Sequence, residues 1–341
     1  IAMMGKREAF NNIVDGKGAD RIPVVMCVSS LPSAQAGIPF PETLFDPEKM
    51  AGTQLDAQRR LGYDGFITSY VTLSGMLAGH LPDSEGNTGM GSDTIHSYED
   101  LDKLAPYDPA KDPCLAVTKK AAEILRKEAP DEPILAIIQP ASGLAFDLMG
   151  AKTGFKSMVK DHEFFRAVCD RVEDAAVAAY EALWDSEIDA FWFPTPNFGG
   201  YCISRNTYIK CIHDSNKRFY KRMQDAGVRM IHHTCGLYDD RLDLCLEEHN
   251  TCWHLADTST KKIKDLYGDK MSLMGTIPSV RVLLEGTADE VYKFAYQECI
   301  DAAQDGRFIL SGDCDVPPDT ADENIFAVIK AAKDAEKVIF G

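Results

Sequence analysis

The 341-residue sequence contains no apolar run approaching the ~20 residues that span a bilayer, and its opening, "IAMMGKREAF", lacks the apolar core of a signal peptide. No membrane partner is expected. Positive charge is also scarce, with 36 Lys and Arg against 53 Asp and Glu and a formal net charge of −17. That surplus repels phosphate backbones and anionic lipid, so nucleic acid is not an expected partner. Clustered cysteines are missing as well. The ten thiols lie scattered between Cys27 and Cys314, too dilute for a disulfide scaffold, which predicts a reducing cytoplasm and mostly buried, unpaired cysteines. Neither an internal repeat nor a low-complexity tract is present.

What remains is an ordinary globular composition, 45% apolar and 26% charged, which excludes disordered and fibrous classes. Short apolar runs recur along the chain, each followed by a longer segment of helical periodicity. They are 22–28 (IPVVMCV), 65–71 (GFITSYV), 134–140 (ILAIIQP), 189–195 (DAFWFPT), 228–234 (VRMIHHT), 251–257 (TCWHLAD), 271–277 (MSLMGTI) and 307–313 (RFILSGD). Segments such as 111–130 and 162–186 repeat apolar residues at three and four spacing opposite charged faces, which makes them amphipathic helices. Near-continuous apolar strands alternating with helices imply a parallel sheet covered on its outer face. Eight such units fit a single α/β domain over 1–341, a (β/α)8 TIM barrel; an open doubly wound sheet is the alternative. Residues 71–110, rich in Gly, Asp and Ser, read as a long excursion after the second strand.

In a barrel the reactive residues sit at the C-terminal ends of the strands. The fifth run ends "HHTCG". Residues two apart on an extended chain share a side, so His233 and Cys235 converge while His232 faces the other way. The eighth run ends "SGDCDVPPDT", which places Cys314 past a Gly and before a Pro pair, at the same barrel mouth. One imidazole and two thiolates form a soft donor set suited to Zn²⁺, with a fourth position left open for catalysis. The spacing alone leaves a second reading in place: a buried His bonded to backbone, with two core cysteines. Asp257, ending the sixth run, is either a resting fourth ligand that substrate displaces or a solvated carboxylate.

Several longer stretches carry a family resemblance: 6–25 (KREAFNNIVDGKGADRIPVV), 139–150 (QPASGLAFDLMG), "HTCG", 274–293 (MGTIPSVRVLLEGTADEVYK) and 309–331 (ILSGDCDVPPDTADENIFAVIKA). Together they resemble the uroporphyrinogen decarboxylase superfamily over almost the whole chain. The H-x-C pair and the later Cys before a Pro-Pro turn resemble its corrinoid-dependent methyltransferase branch, of the methylcobalamin:coenzyme M type. The decarboxylase branch fits less well. Its Arg-rich "RQAGRY"-type stretch is replaced here by "CVSSLPSAQAGIPFPE" (27–42), with no Arg, and "FITSYVTLS" (66–74) lacks the expected Asp.

The resemblance implies His233, Cys235 and Cys314 as zinc ligands. It also implies methyl transfer between a corrinoid (methylcobalamin) carried by a partner protein and a small-molecule methyl donor or acceptor, either a thiol or a methyl ether. No Asp-x-His-x-x-Gly signature for holding a corrinoid occurs in the chain itself. One departure stands out, since "GCG" is expected around the third ligand and "GDCDV" is found, so Asp313 and Asp315 either tune or compete for the metal. Substrate-lining candidates are Phe193, Asn197 and Tyr201 in "FWFPTPNFGGYC", which would suit a phenyl methyl ether, with Tyr70 and Gln139 at the ends of the second and third strands. Two other functions follow from the same resemblance: a tetrapyrrole decarboxylase, and a non-catalytic barrel that binds corrinoid or tetrapyrrole. A homo-oligomer is compatible with the sequence.

Overall fold

A computed structural model describes residues 3–80, 83, 92–249 and 251–341. Part of the expected 71–110 excursion, residues 81–82 and 84–91, therefore lies outside the described residues. Seven strands form one parallel sheet in sequence order: β1 (Phe66–Ser69), β2 (Ile134–Ile137), β3 (Ala190–Pro194), β4 (Met230–Thr234), β5 (Cys252–Leu255), β6 (Ser272–Ile277) and β7 (Phe308–Gly312). Each falls inside one of the expected apolar runs. Nearly every strand residue is buried, because helices cover the outer face and side chains fill the inner one.

The first expected strand is the exception. Residues 22–28 make a single parallel bridge, Val24 to Leu310, with the Val25 N–H donating to Leu310 O at 3.1 Å. On the other side Asp64 N–H reaches Val24 O at 2.7 Å, and the Val24 N–H is taken by the Asp64 carboxylate at 2.9 Å. A side chain thus occupies the donor that a strand ladder would use, and Pro23 has none to give. The segment lies between β7 and the approach to β1, so the fold is barrel-like with seven laddered strands rather than the eight expected.

Strand alternation separates two cores. Inward-pointing Ile67, Leu135, Ala190, Trp192, Ile231 and Met274 pack with Phe10 and Ile13 of the helix Lys6–Val14, which plugs the N-terminal end. Outward-pointing Phe191, Phe193, Met230, Trp253 and Leu273 pack under the surrounding helices. Those helices carry conventional stops and starts. Asp112 accepts from Cys114 N and Leu115 N at the head of Pro113–Glu128, and Gly62, at φ 85°, ends Pro47–Leu61. No helix among the described residues is long and apolar enough to cross a membrane.

Candidate metal centre

The parity expected at the end of β4 is what the structure has. His232 points outward, its ring stacked on Trp253 at 4.0 Å between centroids and its Nε2 3.4 Å from the Tyr220 hydroxyl. His233 points inward and stacks on Trp192 at 4.5 Å. Its Nδ1 lies 3.2 Å from the His254 carbonyl. A carbonyl only accepts, so Nδ1 carries the proton and the Nε2 lone pair is free. That Nε2 sits 2.9 Å from Cys235 Sγ. The chain then turns away at Gly236, whose φ of 97° an L side chain rarely adopts and whose Cα faces the Tyr201 ring.

Cys314 arrives from β7 on a tightly tied loop. Asp313 accepts from Ser279 N at 2.8 Å, Cys314 N donates to Ser279 Oγ at 3.2 Å, and Asp315 accepts from Ser29 N and Oγ at 2.8 and 2.7 Å. Both carboxylates flanking Cys314 thus hold backbone in place. Burial is the main reason that both are raised above the usual carboxylate range. A Cβ on Gly312 would meet Ser279 Oγ at 2.8 Å, so a larger residue there would displace the hydroxyl that ties the loop.

The donor atoms of His233, Cys235 and Cys314 all lie within 4.8 Å of one another. Tetrahedral zinc with bonds of about 2.0–2.3 Å needs its donors roughly 3.4–3.8 Å apart, so the trio fits after small side-chain rotations. The two thiols are shifted in opposite directions. Cys314 is pushed down, first by the hydrogen bond from Cys235, while Cys235 is pushed up by that same bond and by burial. The downward shift of Cys314 favours the thiolate, the form that ligates a metal.

Cys314 forms part of the wall of a cavity of about 730 Å³. Asp257, an exposed residue with φ 50°, is on the same wall, outside the trio, and so is Tyr201, 71% exposed. The other substrate candidates lie elsewhere. Phe193 belongs to the outer layer, edge-on to Tyr180, Phe219 and Tyr220, which corrects its expected place at the cavity: the register that turns Trp192 and His233 inward turns Phe193 out. Tyr70 is corrected likewise, since its hydroxyl is buried against Tyr107 (2.8 Å) and Asp112. Gln139 donates to Asp147 at 2.9 Å, and Asn197 is half-buried with φ 71°. Three residues escaped the sequence reading: Trp192 and His254 beneath His233, and Arg281 at the cavity. The signal for His254 was the register of two distant stretches, which sets His254 opposite His233.

Residues 5–335 match the family described as Uroporphyrinogen decarboxylase (URO-D). The chain is 25% identical over 331 residues to the methylcobamide:CoM methyltransferase MtaA of Methanosarcina barkeri, a match covering 93% of this chain and 94% of that protein. A methylated-thiol–coenzyme M methyltransferase of Methanosarcina mazei is 23% identical over 204 residues, covering 59% of this chain and 53% of that protein. Among solved structures, a methyltransferase from Methanosarcina mazei superposes with a TM-score of 0.77 at 19% identity, covering 97% of this chain and 99% of the other.

Proposed function

The chain belongs to the uroporphyrinogen decarboxylase (URO-D) family and sides with its corrinoid-dependent methyltransferases, and from that premise we propose a zinc-dependent transfer of methyl between a corrinoid protein and a small thiol. The convergence of one imidazole and two thiols, of which Cys314 reaches the wall of a cavity, carries the reading. The whole chain acts as one catalytic unit, in a reducing cytoplasm that keeps the three ligands available.

When bound, a zinc ion lowers the pKa of a thiol, ~8.5 when free, and keeps its sulfur as the thiolate that attacks a methyl group. The protein's own contribution is positional. His233 is oriented by the bond from its Nδ1, Trp192 closes the floor, and the tied loop fixes Cys314. These constraints would limit the rearrangement needed for the donors to meet a metal to small side-chain rotations. Asp257, on the cavity wall outside the trio, is the carboxylate that would be available as a fourth ligand if a metal were held there.

The cavity lining favours a thiol over a phenyl methyl ether. Asp239, Asp257, Thr258, Ser259, Lys262 and Arg281 set charged and polar groups among its apolar surface, and of its lining residues only Tyr201 and Phe294 are aromatic. Lys262 pairs with Asp239, whereas Arg281 has no ion-pair partner among the described residues. One unpaired cation is a poor clamp for a substrate with many carboxylates, but it suits a thiol with a single acidic end. Arg281→Ala is expected to raise KM for such thiols roughly two- to five-fold, the yield of an exposed ion pair, with neutral thiols unaffected. Steady-state kinetics on acidic and neutral thiols of equal length would check this.

The overall reading is tested by incubating the protein with cobalamin in the methyl-Co(III) and Co(I) states against thiols and methoxyaromatics. Loss of the methyl-cobalt absorbance with a thiol is the expected result. Turnover of uroporphyrinogen with no methyl transfer would overturn it.

A further inference from the structure

We infer that His254 is a positioning residue that sets the distance between the two halves of the metal site, an inference that rests on the zinc reading above. Its side chain is fully buried inside the barrel, beside His233 and opposite it in register. Trp192 Nε1 lies 2.9 Å from His254 Nδ1. An indole N–H can only donate, so Nδ1 accepts and the imidazole proton resides on Nε2. That Nε2–H donates to Gly312 O at 2.6 Å, two residues before Cys314. The backbone carbonyl of the same residue receives the Nδ1–H of His233.

One residue therefore touches both halves. Through its carbonyl it aims the His233 lone pair, and through its ring it holds the end of β7 from which Cys314 hangs. Trp192 completes the circuit by stacking on His233 while donating to His254. Gly275 leaves room for the ring, since a Cβ there would sit 3.2 Å from His254 Cδ2. Without the imidazole, the Trp192 N–H and the Gly312 carbonyl lose their partners in an interior closed to water, and the β7 end is free to move away from His233.

The test uses His254→Phe, which keeps an aromatic ring and deletes the ring's bonds to Trp192 and Gly312, with its longer contact to Cys27, alongside His254→Gln, which can still donate to Gly312. Zinc affinity is measured by competition with a chromophoric chelator, and the thiolate-to-metal absorbance is recorded on the cobalt-substituted proteins. His254→Phe is expected to weaken affinity about 10- to 100-fold, the usual cost of removing a group that orients a ligand, and to shift the cobalt band; His254→Gln should recover most of both. Wild-type affinity and spectrum in His254→Phe would overturn the inference and leave the zinc reading standing, whereas a wild type that binds no zinc removes both. If His254→Phe does not fold, His254→Gln and His254→Asn decide: equal, undiminished affinity in the two would overturn it, and a preference for Gln, which reaches Gly312, would support it.

Discussion

Cys314→Ser is expected to lose its zinc on dialysis, while the wild-type protein retains about one ion per chain. A zinc site of this type contributes on the order of 10 kcal/mol, and three protein ligands share it. Removing one thiolate then costs roughly 3 kcal/mol, or 10²- to 10³-fold in affinity, because a serine hydroxyl does not ionise to take its place. Methyl transfer to thiols should fall with the metal. Cys202→Ser is the matched control, since Cys202 is exposed and outside the trio. Metal content by mass spectrometry separates the outcomes: zinc retained in Cys314→Ser at wild-type stoichiometry would move the ligand set elsewhere.

The residues at this site differ in how visible they were in the sequence. His233 and Cys235 could be paired from strand alternation alone, because "HHTCG" is local and its polar residues mark which face matters. Cys314 could be joined to them through the barrel reading, which brings both strand ends to one mouth, but that left the reading of a buried His with two core cysteines open until the family resemblance implied the ligand set. Phe193 and Trp192 show where alternation falls short. In a strand buried on both faces, "FWF" is apolar in either parity, so the pattern says that residues alternate without saying which one faces in. His254 was hidden for a related reason, as its partners Trp192 and Gly312 are 62 and 58 positions away. The first strand was legible as an apolar run, but the competition of Asp64 for the Val24 N–H was not.

The opposite end of the barrel yields a large effect of a different kind. Asp189, 2% exposed just before β3, accepts from Arg7 Nε at 2.7 Å and Asn11 Nδ2 at 3.3 Å with one oxygen, and from Arg126 Nη2 at 2.5 Å and Ile134 N at 2.9 Å with the other. It ties the plugging helix, the helix Pro113–Glu128 and the start of β2 to one carboxylate. Removing one partner of a buried pair costs about 3–5 kcal/mol. Arg126 keeps bonds to Glu187 and to backbone carbonyls, so the lower end applies, and Asp189→Ala is expected to lose about 3 kcal/mol in urea unfolding. In the folded range its zinc content and thiol kinetics should match wild type, because the metal ligands hang from the C-terminal strand ends and bond to nothing at the plugged end. A barrel tolerates this division of labour because each strand is held at one end by packing and presents chemistry at the other. If Asp189→Ala, still folded by circular dichroism, bound zinc markedly more weakly, the two ends would be coupled through the strands, and the site could not be treated as a property of the mouth alone.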